Sequence, residues 1–103
     1  STADDAHRMQ LHVAAVIVSN FTNHLYALAD DFCGRHQIDF NLLYPLIKET
    51  ALRIQKIPAV QVQTGPAVRK DLSTIQLHLD VLQDSPELKI LYALLTDSIM
   101  NKK

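Results

Sequence analysis

The residues best suited to chemistry fall into two groups, His12, Asn20 and His78 on one hand, and Thr64, Gly65, Arg69 and Asp71 on the other. An imidazole exchanges a proton near neutral pH, so His12 and His78 are candidate acid–base groups. Asn20 offers a neutral amide that can orient an oxygen. The run Thr64-Gly65-Pro66-Ala67-Val68-Arg69-Lys70-Asp71 reads as a glycine turn entering a helix. Exposed N–H groups there, beside the Arg69 and Lys70 cations, suit a phosphate or carboxylate. The competing reading is a plain turn and cap, with Arg69 paired to a carboxylate such as Asp71 or Glu49. His78 taken alone also fits an ordinary surface position.

A second pattern lies on the first long helical stretch. On a 100° wheel Asp5, His12, Ser19, Asn23 and Asp30 fall within about 40° of one another, with Asn20 at the edge. Opposite them is a broad apolar arc that includes Val13, Ile17, Val18, Phe21, Leu25 and Phe32. A polar stripe is ordinarily a solvent face, but this one is unusual in composition. Between Leu11 and Ala29 there is no Lys, Arg, Glu or Gln. Those residues favour helix and usually cover exposed faces, whereas Ser, Asn, Thr and His cost helix stability and can bond a ligand or a partner backbone. His24 lies nearer the apolar arc and suits an interface.

Other chemistries are absent from the pattern. There is no HExxH or ExxH pair for a metal, no GxSxG, and no Walker or GxGxxG loop. The chain has two glycines in all, so it has no Gly-rich loop to cradle a dinucleotide. Cys33 is the single cysteine, has no motif around it and reads as a buried or interfacial thiol. Net charge is −1 with ten scattered basic residues, which leaves no footprint for nucleic acid. The most apolar stretch is interrupted by His12, Ser19, Asn20, Thr22, Asn23 and His24, each costly in lipid, so no membrane span is expected. A reducing, cytoplasmic setting is expected.

The elements that position these residues are helices. The 103 residues are 48% apolar, enough for one domain with a core, and Pro and Gly are few. Thr2-Ala3-Asp4-Asp5 reads as a helix start, and Gly34 as the stop. The helix between them would be about 30 residues and about 45 Å long. A compact chain of this size is only roughly 34 Å across, so part of that helix must be covered by something else. A second helix starts at Asp39 or Asn41, with a kink or late start at Pro45, and ends near Lys56. Gly65-Pro66 opens a third, with a break near Asp71 as the alternative, and Ser85-Pro86-Glu87 opens the last. The fold class is therefore all-α, one long N-terminal helix with three or four shorter helices packed on it, as a single domain over 1–103.

Particular residues resemble a known family. They are His12, Ala14-Ala15, Ser19-Asn20-Phe21 and Thr22-Asn23, then Leu43, Pro45-Leu46-Ile47 and Glu49-Thr50. Thr64-Gly65-Pro66-Ala67-x-Arg69-x-Asp71 follows with Thr74-Ile75 and His78-Leu79. Together they look like the C-terminal helical domain, of unknown function, of bacterial Rossmann-like NADP-dependent oxidoreductases. That domain is similar to the helical domain of 6-phosphogluconate dehydrogenase. The resemblance covers about Asp5 to Ile99, and its most specific piece is the Thr-Gly-Pro-Ala-x-Arg-x-Asp run. It implies an upstream Rossmann domain of the same polypeptide, and NADP or NAD bound by the full-length protein rather than by this chain. A homodimer through the first helix and a substrate cleft between the domains are implied as well. Related dehydrogenases carry a Lys followed by Asn on the long helix. Here that stretch has no Lys, and its candidates are His12, Ser19 and Asn20. Two other readings stand beside this one: a non-catalytic helical interaction module, and a histidine phosphotransfer bundle.

Overall fold

A computed structural model of the chain describes residues 2–102, and every regular element among them is helical. The fold is all-α, with one long helix and three shorter ones. The chain divides into two compact units, Ser1–Asn41 and Leu42–Lys103.

The first unit is dominated by the long helix. Helix α1 (Thr2–Ala15), a π-helical turn (Val16–Phe21) and α2 (Thr22–Arg35) run head to tail without a break. The whole is 34 residues, about 50 Å. Asp4 and Asp5 in the first turn and Arg35 in the last complement the helix dipole. The sequence places the stop at Gly34, but the helix continues through it. The left-handed residue that ends it is Gln37, at φ 57. Ile38 N–H reaches back to the Cys33 carbonyl at 2.8 Å and Gln37 N–H to Gly34, so the end is a Schellman-type cap without glycine at its left-handed position. The Gln37 side chain donates to the Arg35 carbonyl at 3.1 Å and helps to hold that conformation.

The π turn is the feature that a helical wheel does not anticipate. Such a turn inserts about one residue into an α-helix, so everything after Phe21 is rotated by roughly 100° from its place on an unbroken wheel. Asn23 and Asp30 therefore swing away from His12, and the five-residue polar stripe read from the sequence is broken at Ser19. The same rotation brings two apolar faces into line. Met9, Val13 and Ile17 on one side of the turn now continue into Leu25, Leu28 and Phe32 on the other. Leu25, Leu28, Ala29 and Phe32 are half-buried and Cys33 is buried, whereas Met9, Val13, Ile17 and Phe21 are exposed.

In the second unit, α3 (Tyr44–Arg53) begins late because Pro45 fits only its first turn. A 3₁₀ turn, Phe40–Leu43, leads into it, started by the Asp39 carboxylate accepting from Asn41 N–H at 2.9 Å. Glu49 pairs with Arg53 one turn on, as the spacing predicts. Helices α4 (Leu72–Val81) and α5 (Pro86–Met100) form a hairpin through the 3₁₀ turn Leu82–Asp84. Ile75, Leu82, Ser85 and Thr96 are its buried residues, and Leu79, Leu88 and Leu91 are half-buried. Pro86 opens α5 with Ser85 as its N-cap residue, as the sequence predicts.

The third helix starts at Leu72, not at Pro66, which is the later of the two boundaries left open by the sequence. Lys70 sits at φ 54, a left-handed conformation that no helix can pass through. Asp71 then caps α4, its carboxylate accepting from Thr74 N–H at 3.2 Å, Thr74 Oγ1 at 2.7 Å and Ser73 Oγ at 3.1 Å. The Thr74 hydroxyl, then the Thr74 and Ser73 donors beside it, hold the Asp71 carboxyl below its usual range. A carboxyl depressed on folding adds stability that is full above its unfolded pKa of about 3.9 and lost as pH falls through the lower folded value. We expect Asp71→Ala to lower the melting temperature by a few degrees at pH 7, and Asp71→Asn, which can still cap, to lower it less. The gap between wild type and Asp71→Ala should narrow below about pH 4; a gap constant from pH 7 to pH 2.5 in thermal melts contradicts this.

Candidate functional site

His12 and Asn20 lie on the long helix of the first unit, and both are exposed. Eight residues of helix separate them, roughly 12 Å, so they are two positions rather than one site. Asn20, with Ser19, falls inside the π turn. Runs of i→i+5 bonding are rare, and they occur disproportionately at functional sites because they re-aim side chains and disturb the bonding of a carbonyl. The sequence singled out Asn20 by residue type, and the backbone singles it out again by geometry.

The second unit holds Thr64, Gly65, Arg69, Asp71 and His78. Gly65 has φ 102, and a Cβ built there would meet nothing within 4 Å. The glycine is thus required by the backbone and not by a close neighbour. Three of the N–H groups expected to be open for an anion are engaged, at the end of the run: Lys70 N–H bonds Ala67 O at 3.0 Å, Asp71 N–H bonds Pro66 O at 2.9 Å, and Leu72 N–H bonds Lys70 O at 3.1 Å. The charge at the start of α4 is the carboxylate of Asp71 itself. What remains to hold an external anion is the Arg69 guanidinium, 61% exposed and 4.0 Å from Asp71 Oδ2. An exposed pair at that separation is weak, so it restrains Arg69 little.

His78 has a partner that sequence reasoning missed. Its Nδ1 lies 2.7 Å from the Tyr92 hydroxyl, and the rings meet edge to face with centroids 5.7 Å apart. By spacing, Tyr92 falls with Leu88, Leu91, Leu95 and Ile99 on the apolar stripe of the last helix and not among the candidate site residues. A pairing between helices 14 residues apart has no signature on either helix's wheel. Where Nδ1 carries no proton, Oη–H donates to it and the ring proton sits on Nε2; where Nδ1 is protonated, the ring donates to Oη. Burial pushes the Tyr92 phenol up from its ordinary range, so it stays protonated and acts as an anchor. Among the described residues Nε2 has no hydrogen-bond partner. His78 is thereby a ring held at one nitrogen and open at the other.

No group of three or more His, Cys, Asp or Glu among the described residues is placed to hold a metal ion. No helix among them is long and apolar enough to cross a membrane.

Residues 1–99 match the model of a domain of unknown function, DUF2520. The chain belongs to this family. It is also similar to a solved structure described as a putative NADP oxidoreductase from Bacteroides fragilis, with 42% identity and a TM-score of 0.90. The match covers 94% of this chain and 38% of that one, so the chain spans well under half the length of its structural relative. A search of curated proteins finds no match. The family resemblance carried by the Thr-Gly-Pro-Ala-x-Arg-x-Asp run is therefore correct over nearly the whole chain.

We expect Tyr92→Phe to keep the ring contact, lose the hydrogen bond and cost about 0.5–1.5 kcal/mol. The His78 Nδ1 resonance in side-chain nitrogen NMR should move towards that of an unbonded acceptor. An unshifted resonance shows that the pair does not persist in solution.

Proposed function

We propose that this chain is the dimerisation and substrate-side domain of an NADP-dependent oxidoreductase. The observation that carries the reading is the 0.90 TM-score and 42% identity, over nearly all of this chain, to a protein described as a putative NADP oxidoreductase. Cofactor binding is assigned to the portion of the parent protein outside this chain. The described residues include no strand, and two glycines cannot form a nucleotide loop, so nothing here would hold a dinucleotide.

Within that division the residues of this chain bind and orient. The nicotinamide supplies or accepts a hydride. The open Nε2 of His78 suits a carbonyl oxygen: as the imidazolium, with Nδ1–H donating to Tyr92 Oη, the ring donates a hydrogen bond and then the proton that the alkoxide takes up, and is left neutral. Arg69, with its planar fork, suits a substrate carboxylate or phosphate near Thr64 and Gly65. Asn20 is the long helix's candidate, with Ser19 beside it and His12 as the weaker alternative.

The dimer reading rests on the exposed ladder Met9, Val13, Ile17 and Phe21, each more than half exposed. Residues spaced by four on a helix share a face, and large apolar side chains left in water along such a face mark an interaction surface. We assign that face to a second copy of the chain. The absence of Lys along this stretch supports the rival reading, a non-catalytic scaffold, and the two differ in what the parent protein does with cofactor.

Calorimetry with NADPH is expected to show micromolar binding to the full-length protein and none to this chain; binding to the chain overturns the division of labour. Phe21→Asp is expected to shift the full-length protein from dimer to monomer in light scattering at tens of micromolar, because it puts a charge on the apolar face. A wild-type monomer at that concentration removes the interface. Arg69→Lys keeps charge but loses the bidentate fork. Assayed as NADPH oxidation against a panel of carbonyl compounds, it should raise KM about tenfold for members bearing a carboxylate, with the melting temperature nearly unchanged. A drop in melting temperature with KM unaltered makes Arg69 structural only.

A further inference from the structure

The second unit contains a cavity of about 330 Å³ that none of the sequence motifs identified. It lies between the 59–70 segment and the C-terminal end of α5. That volume is within the range of small-molecule sites, which are mostly apolar with a few polar groups fixing orientation. Ala67, Val68, Ile99 and Met100 supply the apolar wall, and Ala67 is buried. The polar groups at the wall are Gln63, Ser98, Lys70 and Lys102, with no carboxylate among the lining residues. Two lysines at the wall of a cavity whose lining includes no acid give it a positive field, and neither lysine forms an ion pair among the described residues.

Lys70 is held at this wall by its backbone. A non-glycine residue at φ 54 is strained, and such strain persists only where surrounding bonds fix it. Here Lys70 N–H is bonded to Ala67 O and Lys70 O accepts from Leu72 N–H. A less strained turn was open to a glycine or asparagine at this position, yet the residue present is a cation. Lys102 follows the C-terminus of α5, where a cation also offsets the partial charge of the last carbonyls.

We propose that this cavity binds a small organic anion, a monocarboxylate with an apolar body, whose carboxylate meets Lys70 and Lys102 and whose hydrocarbon lies along Ala67, Val68, Ile99 and Met100. The site is separate from Arg69, which does not line the cavity, and it requires neither NADP nor a dimer. Its failure leaves the oxidoreductase reading intact, and the reverse holds.

The test uses the full-length protein without cofactor, titrated with hexanoate and followed by ligand-observed NMR and calorimetry. Hexanamide serves as the neutral counterpart and inorganic phosphate as the anion without an apolar body. Hexanoate is expected to bind at least tenfold more tightly than either. Lys70→Gln should weaken hexanoate roughly tenfold, Lys102→Gln less, and added salt should weaken it in wild type. Val60→Trp, at a lining position 70% exposed, fills the cavity at little cost to folding and should abolish binding. Equal affinity for hexanoate and hexanamide overturns the anion preference. Hexanoate binding that survives both Lys70→Gln and Val60→Trp places the ligand on an apolar face elsewhere, and absence of binding at tens of millimolar removes the site.

Discussion

An uninterrupted helix of 34 residues imposes its geometry on the first unit. Helix of that length has an apolar face that must be buried along its whole run, and a straight 3.6-residue repeat would let the faces of its two halves diverge. The single π turn at Val16–Phe21 corrects this by rotating α2 about one residue's worth against α1. The half-buried Leu25, Leu28, Ala29 and Phe32 then continue the line of Met9, Val13 and Ile17. An inserted turn costs helix hydrogen bonding, and its retention in the middle of the helix is intelligible if both halves must present apolar surface in the same direction.

The two halves of that line differ in exposure. From Leu25 onward the face is largely covered, ending in the buried Cys33, whereas before Phe21 every large apolar residue is exposed except the half-buried Val16. The apolar content of the first 21 residues would therefore be a liability in water for a chain acting alone. This asymmetry, more than the length of the helix, is why the N-terminal half is the part to which a partner is assigned.

Much of this was legible in the residues. Prolines and capping residues located α3 and α5, because Pro45 and Pro86 fit only a first turn and Ser85 precedes the second. Spacing alone put Val68, Leu72, Ile75, Leu79 and Leu82 on one face; Ile75, Leu79 and Leu82 are covered, whereas Val68 and Leu72 are exposed. The family followed from Thr64-Gly65-Pro66-Ala67-x-Arg69-x-Asp71, a run too particular to be helical filler. What the residues did not disclose was register and pairing. A π turn has no composition of its own, so the polar stripe through Asn23 and Asp30 was drawn on the wrong wheel. Gly34 looked like a helix stop because glycine tolerates the left-handed conformation, yet Gln37 adopts it, supported by its own amide on the Arg35 carbonyl.

The Thr64–Asp71 run shows most clearly how a motif and a site can differ. Read as a string, it offers a glycine turn, two cations and a helix start, which together suggest an anion on backbone N–H groups. In three dimensions the parts separate. Asp71 occupies the helix start and satisfies Thr74, so the chain supplies its own anion there. The left-handed Lys70, the second of the two cations, lies between Arg69 and the cap and divides the turn from α4. Arg69 remains largely in solvent while Lys70 lines the cavity beside the end of α5. The run is thus a hinge between a capped helix and a loop. Its string of residue types is accounted for by three separate jobs: Gly65 for backbone conformation, Asp71 for the cap, and two adjacent cations that serve different surroundings.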